Sequence, residues 1–108
     1  MNRFRMSVRE ELERRLTALP ELEKRPSRYG DSKSYFVGGR EIAHFHGDSR
    51  MDLRLTKEEI RRLKFEQALD HRVQTRGPSA EWAEVHVTEL KDIPYAISLV
   101  EEAIRANS

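Results

Sequence analysis

His44 and His46 stand two residues apart in the run Gly39-Arg40-Glu41-Ile42-Ala43-His44-Phe45-His46, which reads as a β-strand. Side chains two apart in a strand leave from one face, so the two imidazoles project together. Imidazoles can move a proton near neutral pH or ligate a metal ion. A catalytic metal takes three protein ligands and a structural one takes four; Asp48, Asp52 or His86 could complete such a set. The spacing matches no recognised metalloenzyme motif such as His-Glu-x-x-His. No metal and no cofactor is therefore assigned, and His44 and His46 are the candidate catalytic residues, as general bases. Arg40 would share their face in a regular strand. Arg54 and Asp52 project from the polar face of the next strand, and Trp82, Glu84 and His86 from that of the last. If these faces coincide, Arg40, His44, His46, Arg54, Trp82 and His86 form a ligand-binding set. The arginines would fork a small polar or anionic ligand, and the indole would stack on it. Ile42 cuts across the pattern by falling on the polar side, which calls for a bend or bulge there.

Other residue patterns carry less chemistry. Gly38-Gly39 lacks the lysine and following helix of a phosphate-binding loop and fits a hairpin turn. Ser34 and Ser98 have no nucleophile elbow around them. Glu58-Glu59 and Glu101-Glu102 belong to helix surfaces. His71 sits near the expected end of a helix, where it would complement the dipole. The chain has no cysteine, which excludes disulfides, thiolate ligands and a thiol nucleophile.

The elements that must position these residues follow from periodicity. Ser7 and Glu10 form a capping-box pattern, and Val8, Leu12, Leu16 and Leu19 continue it as an amphipathic helix ending before Pro20. A short strand is expected over residues 20–24, then a loop. Residues 34–37 and 40–46 form a hairpin, and residues 51–55 a third strand, with Met51, Leu53 and Leu55 on one face. Thr56 to Glu59 is a second capping box, opening a helix with Ile60, Leu63 and Leu69 in its stripe and an end near Asp70-His71. Trp82 to Val87 is the last strand. Asp92 then caps a closing helix, with Pro94 in its first turn. The reading is an α+β fold in two layers, an antiparallel sheet of four to five strands with helices packed on one face, ordered α-β-β-β-β-α-β-α. Residues 1–108 form a single domain, with 1–6 as a flexible N-terminal extension.

Twenty basic and nineteen acidic residues give a net charge of +1 over 108 residues, which is no nucleic-acid signature. Ten of the basic residues fall in the first forty, against six acidic ones. With mean hydropathy −0.79, no secretory h-region and no apolar run long enough for a membrane span, a cytoplasmic location is expected.

Pro26-Ser27-Arg28-Tyr29-Gly30, the 39–46 run, Asp52-Leu53-Arg54-Leu55-Thr56 and Trp82 ahead of the closing helix together resemble the luciferase-domain family of small bacterial proteins. The resemblance spans roughly residues 12–107. It implies an α+β domain and fixes no reaction, since the family name reflects one luciferase among its members. Ile42 stands where the family pattern leads one to expect an aromatic. Three uses of the chain stay open. In one, the polar sheet face is a module that takes a small ligand or protein partner, a homodimer included. It could instead be a small enzyme site, with His44 or His46 as base or metal ligand and an arginine holding an anion. The basic first forty residues could bind nucleic acid.

Overall fold

Ser7 and Glu10 form the reciprocal cap that their spacing predicts. Ser7 Oγ accepts from the Glu10 N–H at 3.0 Å, and the Glu10 carboxylate accepts from the Ser7 N–H at 2.8 Å. In the computed structural model, which describes residues 6–27 and 33–108, this cap opens helix α1, Val8–Thr17. Met1 to Arg5, most of the expected extension, lie outside the described residues, as do Arg28 to Gly30 of the loop. The chain continues through β1 (Glu23–Pro26), β2 (Lys33–Val37), β3 (Arg40–His46), β4 (Arg50–Arg54), α2 (Lys57–Phe65), β5 (Val73–Thr75) and β6 (Trp82–His86). A 3-10 turn, Leu90–Asp92, leads into α3, Ile93–Ala106.

The strands form one antiparallel sheet in the order β1-β2-β3-β4-β6-β5. Leu12 and Leu16 of α1, Ile60 and Leu63 of α2, and the apolar stripe of α3 bury against a single face, on Met51, Leu53, Ala83 and Val85. This is the two-layer α+β arrangement, with every helix among the described residues on one side.

The sheet has six strands, where four to five are expected. The addition is β5, a three-residue edge strand paired to β6 and too short to show an alternation. The first strand lies three residues beyond its expected start. Helix α2 ends at Phe65, well before Asp70, because Gln67 adopts a φ of 57°. There the Ala68 N–H reaches back to the Leu63 carbonyl at 2.8 Å, which closes the helix as a glycine would. His71 therefore lies in a turn and caps no helix. Only half of the second capping box forms. Thr56 Oγ1 accepts from the Glu59 N–H at 3.3 Å, while the Glu59 carboxylate turns to Arg62. Asp92 likewise caps backwards, onto the N–H groups of Thr88 and Glu89.

Between β2 and β3 the register slips. Tyr35 pairs with Ala43, but Phe36 pairs with Glu41, leaving Ile42 as the extra residue of a bulge. Ile42 thereby enters the core, fully buried, where a side chain of its size is worth roughly 1.5–3 kcal/mol. The conflict in the alternation is resolved by inserting one residue, and the hairpin still closes through Gly38 and Gly39. Both have positive φ, as a two-residue primed turn requires.

Candidate functional site

The bulge decides which side chains meet on the uncovered face. Regular alternation would place Glu41 opposite in facing to His44, yet the slip puts Glu41 with Phe36 on the side His44 takes. His44 Nδ1 lies 3.1 Å from the Glu41 carboxylate. Across the β3–β4 ladder, His44 is paired with Asp52 and His46 with Arg50. Directly opposed side chains approach within contact distance and diagonal ones stay within reach of long side chains, so His44 Nε2 lies 3.4 Å and, diagonally, His46 Nε2 3.0 Å from Asp52 Oδ2. The imidazole rings are 5.0 Å apart, and the Trp82 ring flanks His44 at 5.1 Å. Glu41, His44 and Asp52 are largely withdrawn from water, while His46 is half exposed.

Arg50 holds Asp52 from the other side with a two-point fork, Nε to Oδ1 at 2.9 Å and Nη2 to Oδ2 at 3.2 Å. These bonds push the Arg50 guanidinium above its ordinary range. Arg50 Nη2 is also 3.4 Å from Glu84, which Arg76 meets at the same distance. His46, Arg50, Asp52, Arg76, Trp82 and Glu84 are among the walls of a cleft of about 410 Å³. That is enough for a small metabolite.

Of the six residues expected to bind ligand, His44, His46 and Trp82 meet. Arg40 does not join them. It pairs with Val37 beyond the bulge, on the opposite side from His44, because the extra residue inverts the alternation. Arg54 is taken up at the strand end, with Nη1 2.6 Å from Asn107 Oδ1 and Nη2 3.5 Å from Glu81. His86 shares the face in register but lines a separate cleft with His71, Arg72 and Asp92. Of the possible third ligands, Asp52 joins the histidines; Asp48 and His86 stand outside the cluster. Glu41 and Arg50 are functional candidates that the sequence reading misses. The misfit of Ile42 is the signal for Glu41, and Arg50, which alternation puts on the Asp52 face, stands one residue ahead of the strand expected over 51–55.

The arrangement can do two things chemically. Two imidazoles in line with two carboxylates can pass a proton, and the ring nitrogens with Asp52 offer donors that converge on one point. Among known proteins, no curated protein and no solved structure matches the chain. A family described as Luciferase domain matches residues 39–103, a segment that holds Glu41, His44, His46, Arg50, Asp52, Trp82 and Glu84. The match takes in more than half of the 108 residues, and the chain belongs to the luciferase-domain family.

Proposed function

We propose that the chain is a binding module for a small polar ligand, seated on the uncovered face of the sheet between Trp82 and the His46 side of the cleft. The observation that carries this reading is the cleft itself, walled by an indole and by charged groups already fixed in place. Such groups bind without first being ordered, which lowers the cost of association. Trp82 supplies the apolar wall, half-exposed His46 the accessible hydrogen-bonding and proton-transferring group, and Glu84 and Arg76 the rim.

The ion-pair pattern narrows the ligand. Arg50 and Arg76 are matched by Asp52 and Glu84, and Arg54 by Glu81, so the cleft carries no surplus of positive charge. A neutral, hydrogen-bonding ligand fits this balance better than a strong anion. Nearer the N-terminus, Arg9, Arg14, Arg15, Lys24 and Arg25 each have a glutamate partner, though the five share Glu11, Glu13 and Glu23.

The test is a thermal-shift screen of polar metabolites without added metal. A ligand at 100 times its Kd adds about 2.7 kcal/mol, on the order of 10–20 °C in melting temperature for a domain of this size. The shift is expected to vanish in a Trp82→Ala/His46→Ala variant. A shift that persists there would move the site elsewhere. No shift for any compound would favour a protein partner or a second copy of the chain.

A further inference from the structure

On β3 and β4, two histidine nitrogens lie about one carboxylate oxygen at distances that ligands of a single ion keep. His46 Nε2 and His44 Nε2 lie 3.0 and 3.4 Å from Asp52 Oδ2, and the cluster offers one donor from each residue within 4.8 Å of the others. Bonds of about 2.1 Å to one ion separate adjacent donors by roughly 3.0 Å at octahedral angles and roughly 3.4 Å at tetrahedral ones. We propose that His44, His46 and Asp52 bind one divalent first-row transition-metal ion through the two Nε2 atoms and a carboxylate oxygen.

The surrounding contacts support the same arrangement. Both imidazole Nε2 atoms lie within 3.4 Å of Asp52 Oδ2, to which Arg50 Nη2 also donates at 3.2 Å. With an ion in the middle, Nε2 of each imidazole gives its lone pair to the metal. The other nitrogen of His44, Nδ1, then faces the Glu41 carboxylate, 3.1 Å away. A carboxylate behind a metal-bound histidine fixes its tautomer and its orientation. Glu41 is well buried in that position, with its side chain 6% exposed. Arg50 opposes the ion, being close to the same Asp52 oxygen, but Glu84 stands 3.4 Å from its Nη2 and can take up the displaced contact.

The donor set indicates the metal class. Two imidazoles and one carboxylate suit zinc, iron(II), cobalt(II) or nickel(II), whereas magnesium and calcium prefer all-oxygen shells. Three protein ligands leave at least one coordination position for water or a ligand. This site does not depend on the ligand reading above, since an ion can sit at the three residues with the cleft empty.

The experiment uses the tag-free, full-length chain stripped of metal with a chelator. Cobalt(II) is titrated and followed by visible absorption, and zinc by calorimetry. The expected result is a single ion per chain, with at least a tenfold weaker Kd in His46→Ala and in Asp52→Asn. Glu41→Gln should weaken binding about 10–100-fold, as removal of an orienting carboxylate does. His71→Ala, an exposed histidine outside the cluster, should bind as the wild type does. His46 lies outside the hydrophobic core, so its variant should fold, and its melting curve verifies this. Absence of stoichiometric binding by the wild type would overturn the proposal, as would unchanged affinity in His46→Ala and Asp52→Asn. Either result leaves the metal-free ligand screen standing as a separate question.

Discussion

Removing the Asp92 carboxylate should loosen the junction between the last strand and the closing helix. Asp92 is buried, at 7% exposure. Its Oδ2 accepts from the N–H groups of Glu89 at 3.1 Å and Thr88 at 3.2 Å, and from the Thr88 hydroxyl at 3.3 Å. Its Oδ1 accepts from Arg72 Nη1 at 3.0 Å, which ties the β5 approach to the same point. In Asp92→Ala the lost cap costs about 1 kcal/mol, and the lost charge-assisted bond to Arg72 about 1–2 kcal/mol. Arg72 keeps Asp70 as a partner, so the sum is about 2–3 kcal/mol, or roughly 10–20 °C in Tm. Asp92→Asn keeps an acceptor oxygen and should lose about 1 kcal/mol. Burial alone would raise the Asp92 carboxyl. The Glu89 N–H, the Arg72 guanidinium and the Thr88 N–H outweigh it and hold the group below its usual range. A depressed carboxyl stabilises the fold fully above its unfolded value, about 3.9, and loses that stabilisation as pH falls through the folded value. Urea unfolding followed by the fluorescence of Trp82, the only tryptophan, measures both effects. The wild type should exceed Asp92→Ala by the stated margin at pH 7, with the gap closing in acid. A loss under about 0.5 kcal/mol, the range of an ordinary surface change, would refute the reasoning. So would a gap that stays constant into acid.

Other expectations follow from single residues. Ile42→Ala empties a fully buried site at the bulge and should cost about 2–5 kcal/mol by denaturant unfolding; a loss below about 1 kcal/mol would mean that the bulge collapses around it. Gln67→Gly relieves an exposed position at φ 57° and should stabilise by about 0.5–1 kcal/mol, whereas a decrease would show that the Gln67 side chain matters more than its backbone. Burial, together with the hydrogen bond to Glu13, pushes the Tyr35 hydroxyl up. Its stabilisation is full below the unfolded value near 10 and falls as pH rises above it, so ultraviolet titration should show Tyr35 ionising only with unfolding. An ionisation step below the alkaline transition that disappears in Tyr35→Phe would contradict this.

Much of the fold is legible from periodicity because one face of each element is buried. Met51, Leu53 and Leu55 announce β4, and the apolar stripe after Asp92 announces α3. What escapes has no such signature. Gln67 ends a helix in a conformation usually given to glycine, and Val73 to Thr75 form a strand shorter than one period of evidence. The site is half legible. His44, His46, Asp52 and Trp82 lie on strands whose alternation is regular from Ala43 onward. Glu41 and Arg40 exchange roles because a single inserted residue, Ile42, inverts the alternation before that point. Arg54 carries the right side chain on the right face, but Asn107, more than fifty residues away, takes its guanidinium, and no local pattern reports a contact of that range.

The most direct test of the sheet-face site is a two-dimensional nitrogen–proton NMR spectrum of the chain, recorded with and without a library of small polar fragments. Binding at the proposed place should shift the Trp82 indole N–H together with the backbone amides of His46, Arg50 and Glu84, and leave α1 unmoved. Shifts confined to the groove beside Met6, Leu90 and Ile93, or to the cleft around His71 and His86, would contradict the account.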